Sequence, residues 1–440
     1  MVLGKNKENI KAALSIATST LLGIAIPTES NAQQSSVTDD WDIESAFLFY
    51  SEAERVSAIE GIISANKTFD NDEVLNLKFT IDALTGASAN GAVAQPYAQT
   101  FTRPSGQGQY VISGEDTPLD DTFKDTRVQL NGQWTQAIAQ DYILSSGAHF
   151  SKEYDYLSLG INSNLAVDFD RKNTTLSAGF SYFHDTFSPE GGIPVAFASM
   201  LIGDSNDPDW DEAFAKTRLT SSDTKTTTDL MLGLTQVINR RMLVQMNYSY
   251  SMVDGYLTDP FKIISVINEQ GIAQDYIYEK RPTTRVKQST FFQSMYHFEQ
   301  NILDLSYRYM WDDWDITSHT IDSRLRIPVH LFSSNESYIQ PHLRFYKQSA
   351  ALFYQPYLLE QNESLNIDYA SADYRIGQMV TLTLGVKYGM FLEKGNELSF
   401  RLEYYQQTPE NAGFESIGVL NDLNIYPAVK AIIAQVSYSF

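Results

Sequence analysis

Along residues 74–83 apolar and polar side chains take turns: Leu75, Leu77, Phe79, Ile81 and Ala83 interleave with Asn76, Lys78, Thr80 and Asp82. The same period of two returns where Met242, Val244, Met246, Tyr248 and Tyr250 alternate with Gln245, Asn247, Ser249 and Ser251. It returns again where Leu398, Phe400, Leu402 and Tyr404 alternate with Ser399, Arg401 and Glu403. A strand turns successive side chains to opposite faces, so each segment presents one apolar and one polar face. The pattern predicts sixteen strands, near 42–50, 55–67, 73–84, 123–135, 141–153, 156–169, 173–186, 224–238, 241–254, 284–298, 302–312, 318–331, 337–349, 373–390, 397–406 and 428–440. From the second strand on, every other connection is short: 70–72, 136–140, 170–172, 239–240, 299–301, 333–336 and 393–396. The others are mostly long: 85–122, 187–223, 255–283, 350–372 and 407–429. Outer-membrane barrels sort their connections this way, with short periplasmic turns and long extracellular loops, and a soluble sandwich has no reason to. The expected fold is therefore all-β, a transmembrane antiparallel β-barrel of about sixteen strands with both ends in the periplasm.

The last ten residues put Ile432, Ala434, Val436, Tyr438 and Phe440 on one face and Gln435, Ser437 and Ser439 on the other. This ending resembles the closing strand of a bacterial outer-membrane barrel, which makes Val436, Tyr438 and Phe440 the expected signal for the barrel insertion machinery. At the other end, Lys5, Lys7 and Lys11 precede an uncharged apolar run, residues 12–26, and Ser30, Asn31 and Ala32 fit a cleavage site. The expected division is a signal peptide over 1–32, a short periplasmic linker over 33–41 and the barrel over 42–440, in the outer membrane of a Gram-negative bacterium.

Composition adds exclusions. The net charge is −22, and removing the leader's three lysines and two glutamates takes it to about −23, the opposite of the basic footprint that nucleic acid requires. With no cysteine the chain cannot form a disulfide, attach a c-type haem or ligate an iron–sulfur cluster through sulfur. No cofactor is expected. A mean hydropathy of −0.27 is compatible with a barrel, because only alternate residues meet lipid, and 26 Tyr and 24 Phe suit interfacial girdles.

Several blocks resemble a proteobacterial envelope family called domain of unknown function 3570. They are Leu84-Thr85-Gly86-Ala87-Ser88, Pro118-Leu119-Asp120-Asp121-Thr122, Glu153-Tyr154-Asp155-Tyr156, Trp311-Asp312-Asp313-Trp314 with Ser318 and His319, and Pro341-His342-Leu343-Arg344-Phe345-Tyr346 followed by Gln348, Ser349, Ala350, Ala351, Phe353 and Tyr354. The resemblance covers nearly the whole mature chain and brings no catalytic or binding residues with it. It implies an envelope partner, redox-active in kind.

Candidate chemistry lies on the lumen parity. With Leu305, Tyr307, Leu325, Ile327, Leu343 and Phe345 facing lipid, Arg308, Arg324, Arg326, His342 and Arg344 point inward, and Lys387 and Arg401 follow on the next two strands. One reading is an electrostatic filter favouring anions; the other is a salt-bridged lumen with Asp304, Asp322 and Glu403 as partners. A second cluster, Asp204, Asp207, Asp209, Asp211 and Glu212 around Trp210, offers oxygen ligands for a divalent cation or for bridging to lipopolysaccharide phosphates. It lacks the spacing of a calcium loop and reads first as a solvated loop. The aspartates of residues 311–315, with His319, raise the same two readings, with the tryptophans as interface anchors. Ser318 and His319 are adjacent on a strand and so face opposite ways, which disqualifies them as a nucleophile pair, and no enzyme activity is expected. The function these features predict is a porin-like channel or transporter for small polar solutes, anions among them. The alternative is a non-catalytic docking barrel for an envelope partner.

Overall fold

The computed structural model describes residues 41–70, 72–330, 336–360, 367–392 and 396–440. The expected leader, all of the linker but Trp41, and most of the two turns at 333–336 and 393–396 lie outside the described residues.

The strands in chain order are β1 (Asp42–Glu52), β2 (Ser57–Thr68), β3 (Val74–Ala89), β4 (Gln99–Thr102), β5 (Gln109–Ile112), β6 (Leu119–Ala139), β7 (Tyr142–Lys152), β8 (Tyr156–Phe169), β9 (Thr174–Phe187), β10 (Asp223–Asn239), β11 (Met242–Gly255), β12 (Ile263–Ile267), β13 (Ala273–Tyr278), β14 (Thr284–His297), β15 (Ile302–Asp312), β16 (Thr317–Val329), β17 (Ser337–Gln348), β18 (Leu358–Leu359), β19 (Met379–Phe391), β20 (Glu397–Pro409) and β21 (Val429–Ser439). All but β4, β5, β12, β13 and β18 form one closed antiparallel barrel of sixteen strands, in which β21 returns to pair with β1 from Glu44↔Ser439 to Glu52↔Ala431. Closure leaves no open edge, so every strand finds ladder partners on both sides.

The alternation seen in the sequence sorts as a membrane requires. Phe47, Phe79, Ile161, Leu232, Leu305, Phe345, Leu384, Leu402 and Val436 are exposed on the outer surface. Their neighbours of opposite parity, among them Ser64, Asn76, Thr80, Asn131, Asn162, Ser181 and Asn247, turn inward and are buried against the wall. The strands carry the crossing; no helix among the described residues is long and apolar enough to do so.

Two features depart from the sequence reading. The fourteenth barrel strand was expected from 373 but begins at Met379, because Asp373 accepts a hydrogen bond from the Arg375 amide (3.0 Å) and starts a tight turn over Tyr374–Ile376. The long loops also carry structure of their own: a β4–β5 hairpin, a three-stranded sheet in the order β13–β12–β18, and a short helix, α1 (Trp210–Ala215). They pack together. Ala92, Phe101 and Tyr110 from the β3–β6 loop meet Met200 from the β9–β10 loop and Ile263, Tyr276 and Tyr278 from the β11–β14 loop. Val93, Ile267, Tyr357 and Leu420 form a second cluster from four different loops. These loops spring from points spread around the circumference, so a shared core obliges them to meet across the long-loop mouth of the barrel.

Candidate functional site

Register fixes the layout of the inner wall. Across β15, β16, β17, β19 and β20, the inward row just below that of Ser318 and Gln348 reads Arg308, Thr320, Tyr346, Thr381, Gln407. The next reads Ser306, Asp322, Arg344, Thr383, Tyr405, and the third reads Asp304, Arg324, His342, Gly385, Glu403. Rows on one face are two residues apart, about 7 Å along the strand.

The third row is zipped by charge. The His342 ring lies between two carboxylates, with Nδ1 2.8 Å from Glu403 Oε1 and Nε2 3.0 Å from Asp322 Oδ2. Arg324 Nε stands 3.5 Å from Asp322, Arg401 Nε stands 3.9 Å from Glu403, and Arg401 also donates to Gln435. Glu403 is two strands from His342 and reaches it only because position 385 between them is glycine. A Cβ there would lie 2.6 Å from Glu403 Cγ and 3.0 Å from its Oε1. Towards the short-turn end, Lys387 pairs with Glu397 (3.5 Å), whose Oε1 also accepts from the Tyr338 hydroxyl (2.6 Å). The Arg326 guanidinium is stacked 3.8 Å over the Tyr338 ring.

The inward basic residues therefore divide. His342, Arg324, Lys387 and Arg401 are engaged with carboxylates, as the salt-bridged reading has it, and Arg326 is held by aromatic rings. Asp304 departs from that reading: its carboxylate accepts from Gln293 (2.7 Å). Arg308 and Arg344, in the two rows nearer the mouth, are exposed on the wall and form no ion pair among the described residues; Arg308 leans 5.6 Å from the Phe291 ring.

Above this wall the loops are tied by a cluster of six charges that the sequence reading missed. Arg281 contacts Glu279 (2.6 Å) and Asp373 (2.7 Å). Arg375 Nε donates to both Asp373 oxygens (2.9 and 2.8 Å), and its terminal nitrogen reaches Asp259. Lys262 donates to Ser88 Oγ (3.4 Å) and to the Ala89 carbonyl, and Ser371 donates to Glu279. Burial works against ionisation of Asp373, yet Arg375 and Arg281 hold its carboxyl well below the usual range. Burial prevails at Glu279 and pushes it up despite Arg281. The signal that could have found this cluster is the mostly apolar run Lys262-Ile263-Ile264-Ser265-Val266-Ile267, too apolar for a solvated loop; its apolar members are all fully buried.

The blocks that carry the family resemblance lie at this junction. Gln348 donates through Nε2 to the carbonyls of Arg375 (3.0 Å) and Gly377 (2.7 Å), and Ala351, Phe353 and Tyr354 pack with Trp314, Ile316 and Ile376. At Gly86 the backbone takes φ +139° against the Arg55 carbonyl, where the β3–β6 ladder shifts register. The aspartates after Trp311 fold their own turn. Asp312 accepts from the amides of Trp314 (3.1 Å) and Ile316 (2.8 Å) and pairs with Arg285, and Asp313 accepts from the Val286 amide (2.9 Å). Trp314 is buried and only Trp311, stacked on Tyr309, sits on the outer parity, so the expected interface anchors reduce to one.

The acidic loop is likewise self-satisfied. Asp204 accepts from Asn206, Asp207 from the Asp209 amide, and Asp211 from Gln107, while Asp209 precedes α1 and Trp210 is buried with its Nε1 on the Gly106 carbonyl. The carboxylates that do converge among the described residues are Asp125, Glu153 and Asp155 at the rim. Ser318 lies buried on the inner parity, whereas His319 lies on the outer one with Nδ1 2.8 Å from the Tyr307 hydroxyl. At the seam Val436 and Phe440 are exposed on the lipid face, and the Tyr438 and Phe440 rings meet edge-on at 4.6 Å.

No curated protein matches the chain in sequence. Among solved structures it is similar to a bacterial polysaccharide outer membrane secretin, with 7% identity, a TM-score of 0.44, and coverage of 92% of this chain and 100% of that one. It is similar also to the FrpB iron transporter of Neisseria meningitidis (11% identity, TM-score 0.42, 92% and 82% covered). A third is OprB of Pseudomonas putida (9% identity, TM-score 0.42, 91% and 94% covered). The model of a protein family of unknown function, DUF3570, matches residues 11–440, and the chain belongs to that family.

Proposed function

We propose that the protein is a channel of the Gram-negative outer membrane that passes small polar solutes, anions ahead of cations. The observation that carries this reading is the division of the inward basic residues, in which Arg308 and Arg344 keep their charge exposed to the lumen while the rows nearer the short-turn end are neutralised internally. Unpaired guanidiniums on a polar wall raise the local anion concentration, and a narrow low-dielectric surround strengthens the effect. The folded loops narrow the mouth above them. In this reading the outer belt contacts membrane lipid and lipopolysaccharide, and Val436, Tyr438 and Phe440 present the closing strand to the insertion machinery.

The test is single-channel conductance of the refolded protein in a planar bilayer, with reversal potential under a salt gradient. Arg308→Ala with Arg344→Ala should lose most of the anion preference, while Arg324→Ala with Arg326→Ala should change it less, since those two charges are already engaged. A fully folded barrel that stays silent refutes the channel. That outcome supports the second reading, a docking barrel for an envelope partner of the redox kind, which is favoured by loops that meet across the mouth.

A further inference from the structure

The wall just beneath the loops combines features that the charge bias alone does not use. Arg308 and Arg344 lie two strands and one row apart, about 12 Å between Cα atoms from strand spacing and rise, so both side chains can converge on one group. The carboxylate in register with Arg344, Asp322, is already shared by His342 and Arg324. Beside them in register stand Tyr346 and Tyr405. The hydroxyl of Tyr346 is spent on Gln348 (2.5 Å) and that of Tyr405 on Gln407 (3.0 Å), which fixes both rings, each half-buried on the inner wall. Between them in register stand Thr320, half-buried, and Thr383, which is buried in the wall.

We propose that this is a binding subsite for a hydroxylated organic anion, a sugar phosphate or sugar acid. Its anionic group bridges Arg308 and Arg344, and its ring lies on the phenol faces of Tyr346 and Tyr405. The proposal rests on the channel reading in that it needs a lumen that solutes enter. Guanidinium forks match phosphate and carboxylate oxygens, and a fixed aromatic face takes up the apolar side of a sugar ring at little entropic cost. Inorganic phosphate satisfies only the first half of the site.

The experiment is calorimetric titration of the folded full chain in detergent with glucose 6-phosphate, inorganic phosphate and glucose. Glucose 6-phosphate should bind more tightly than either of the others. Arg308→Ala and Arg344→Ala should each weaken it by about 10-fold or more, the loss expected for a charge-assisted contact. Tyr405→Ala should weaken it by about 3- to 10-fold while leaving inorganic phosphate unchanged. Arg344→Gln, which keeps a long polar side chain, guards against a variant that merely misfolds and should show the same loss. Equal affinity for phosphate and glucose 6-phosphate, binding indifferent to both arginines, or no binding at all would overturn the subsite. Conductance is measured separately: a conducting, anion-preferring barrel that binds none of the probes sinks the subsite alone, and a silent barrel that binds as expected sinks only the channel.

Discussion

Asp373→Asn is the substitution that should loosen the loops without touching the barrel. The Asp373 side chain is 0% exposed, Arg281 is 10% exposed, and the aspartate takes contacts from Arg281 at 2.7 Å and from Arg375 at 2.6–2.9 Å while capping its own turn. Asparagine keeps the shape and removes the charge, so Arg281 is left to Glu279 alone and Arg375 to Asp259. Breaking a buried pair by removing one partner costs about 3–5 kcal/mol, and the lost hydrogen bonds are part of that figure, not an addition to it. At about 1.4 kcal/mol per decade, the open fraction of the loop assembly should rise by roughly 10²-fold to several thousand-fold. Native-state hydrogen exchange at the β12 amides reads this directly, with the barrel amides as internal control. The sign of the pH dependence follows from the depressed carboxyl: its contribution is fully present above the ordinary value of 3.8 and is lost as pH falls through the lower folded value. Wild type should therefore keep its loops closed down to about pH 4 and loosen below it, and Asp373→Asn should lack that acid step. Exchange at β12 within about threefold of wild type would show that the cluster does not hold the loops.

Three more outcomes follow from single positions. Gly385→Ala should drive Glu403 off His342 and lower barrel stability by about 1–3 kcal/mol, read as the melting temperature of the folded band in detergent, whereas alanine at the outward Gly61 should not. Gly86→Ala meets the Arg55 carbonyl at 2.3 Å with a backbone that disfavours any side chain, and should cost about 1–3 kcal/mol, seen as faster exchange at Ala87. Burial, then the charge of Asp125, raises Glu153 to about 7, so its protonated form is favoured in the fold and stability falls as pH rises from 4.5 towards 7. Glu153→Gln should flatten that slope, by about 1 kcal/mol after solvent screening, and a slope unchanged in the variant would refute the assignment.

The wall was legible in the sequence because parity is a local property. Leu305 and Tyr307 outward force Arg308 inward whatever the register, and the count of alternating segments already came to sixteen, with the short and long connections setting their phase. What parity cannot reveal is which inward charges meet. Glu403 reaches His342 across an intervening strand only because register brings Gly385 between them, and register is a tertiary fact. The start of β19 was misplaced for a related reason: Asp373, Tyr374 and Arg375 continue an alternating pattern, but the aspartate prefers its own turn and the arginine's charge over the ladder. Trp314 read as an interface anchor because an aromatic at a strand end usually is one, and it is buried here because Ala351 and Phe353 fold back over it. Loops of thirty residues or so were themselves a warning, since structureless connections of that length are uncommon in a compact domain.

The scattered origin of the loop core has a consequence for assembly. The Val93 amide finds Ser265 Oγ across 172 residues, and Gln95 reaches the Gly271 carbonyl across 176. In a free chain such contacts carry the full entropy of closing very long loops, which grows with their length and has no local structure to offset it. Once β1 and β21 have joined, the barrel rim holds the roots of all these segments at fixed positions, and the same contacts close over a short span. Assembly should then be ordered in time: the cylinder closes first, as the template, and the loops condense on it afterwards as a second cooperative unit. Lesions in β12 or at Asp373 would slow or undo only the late step, leaving an inserted barrel with its mouth unfinished.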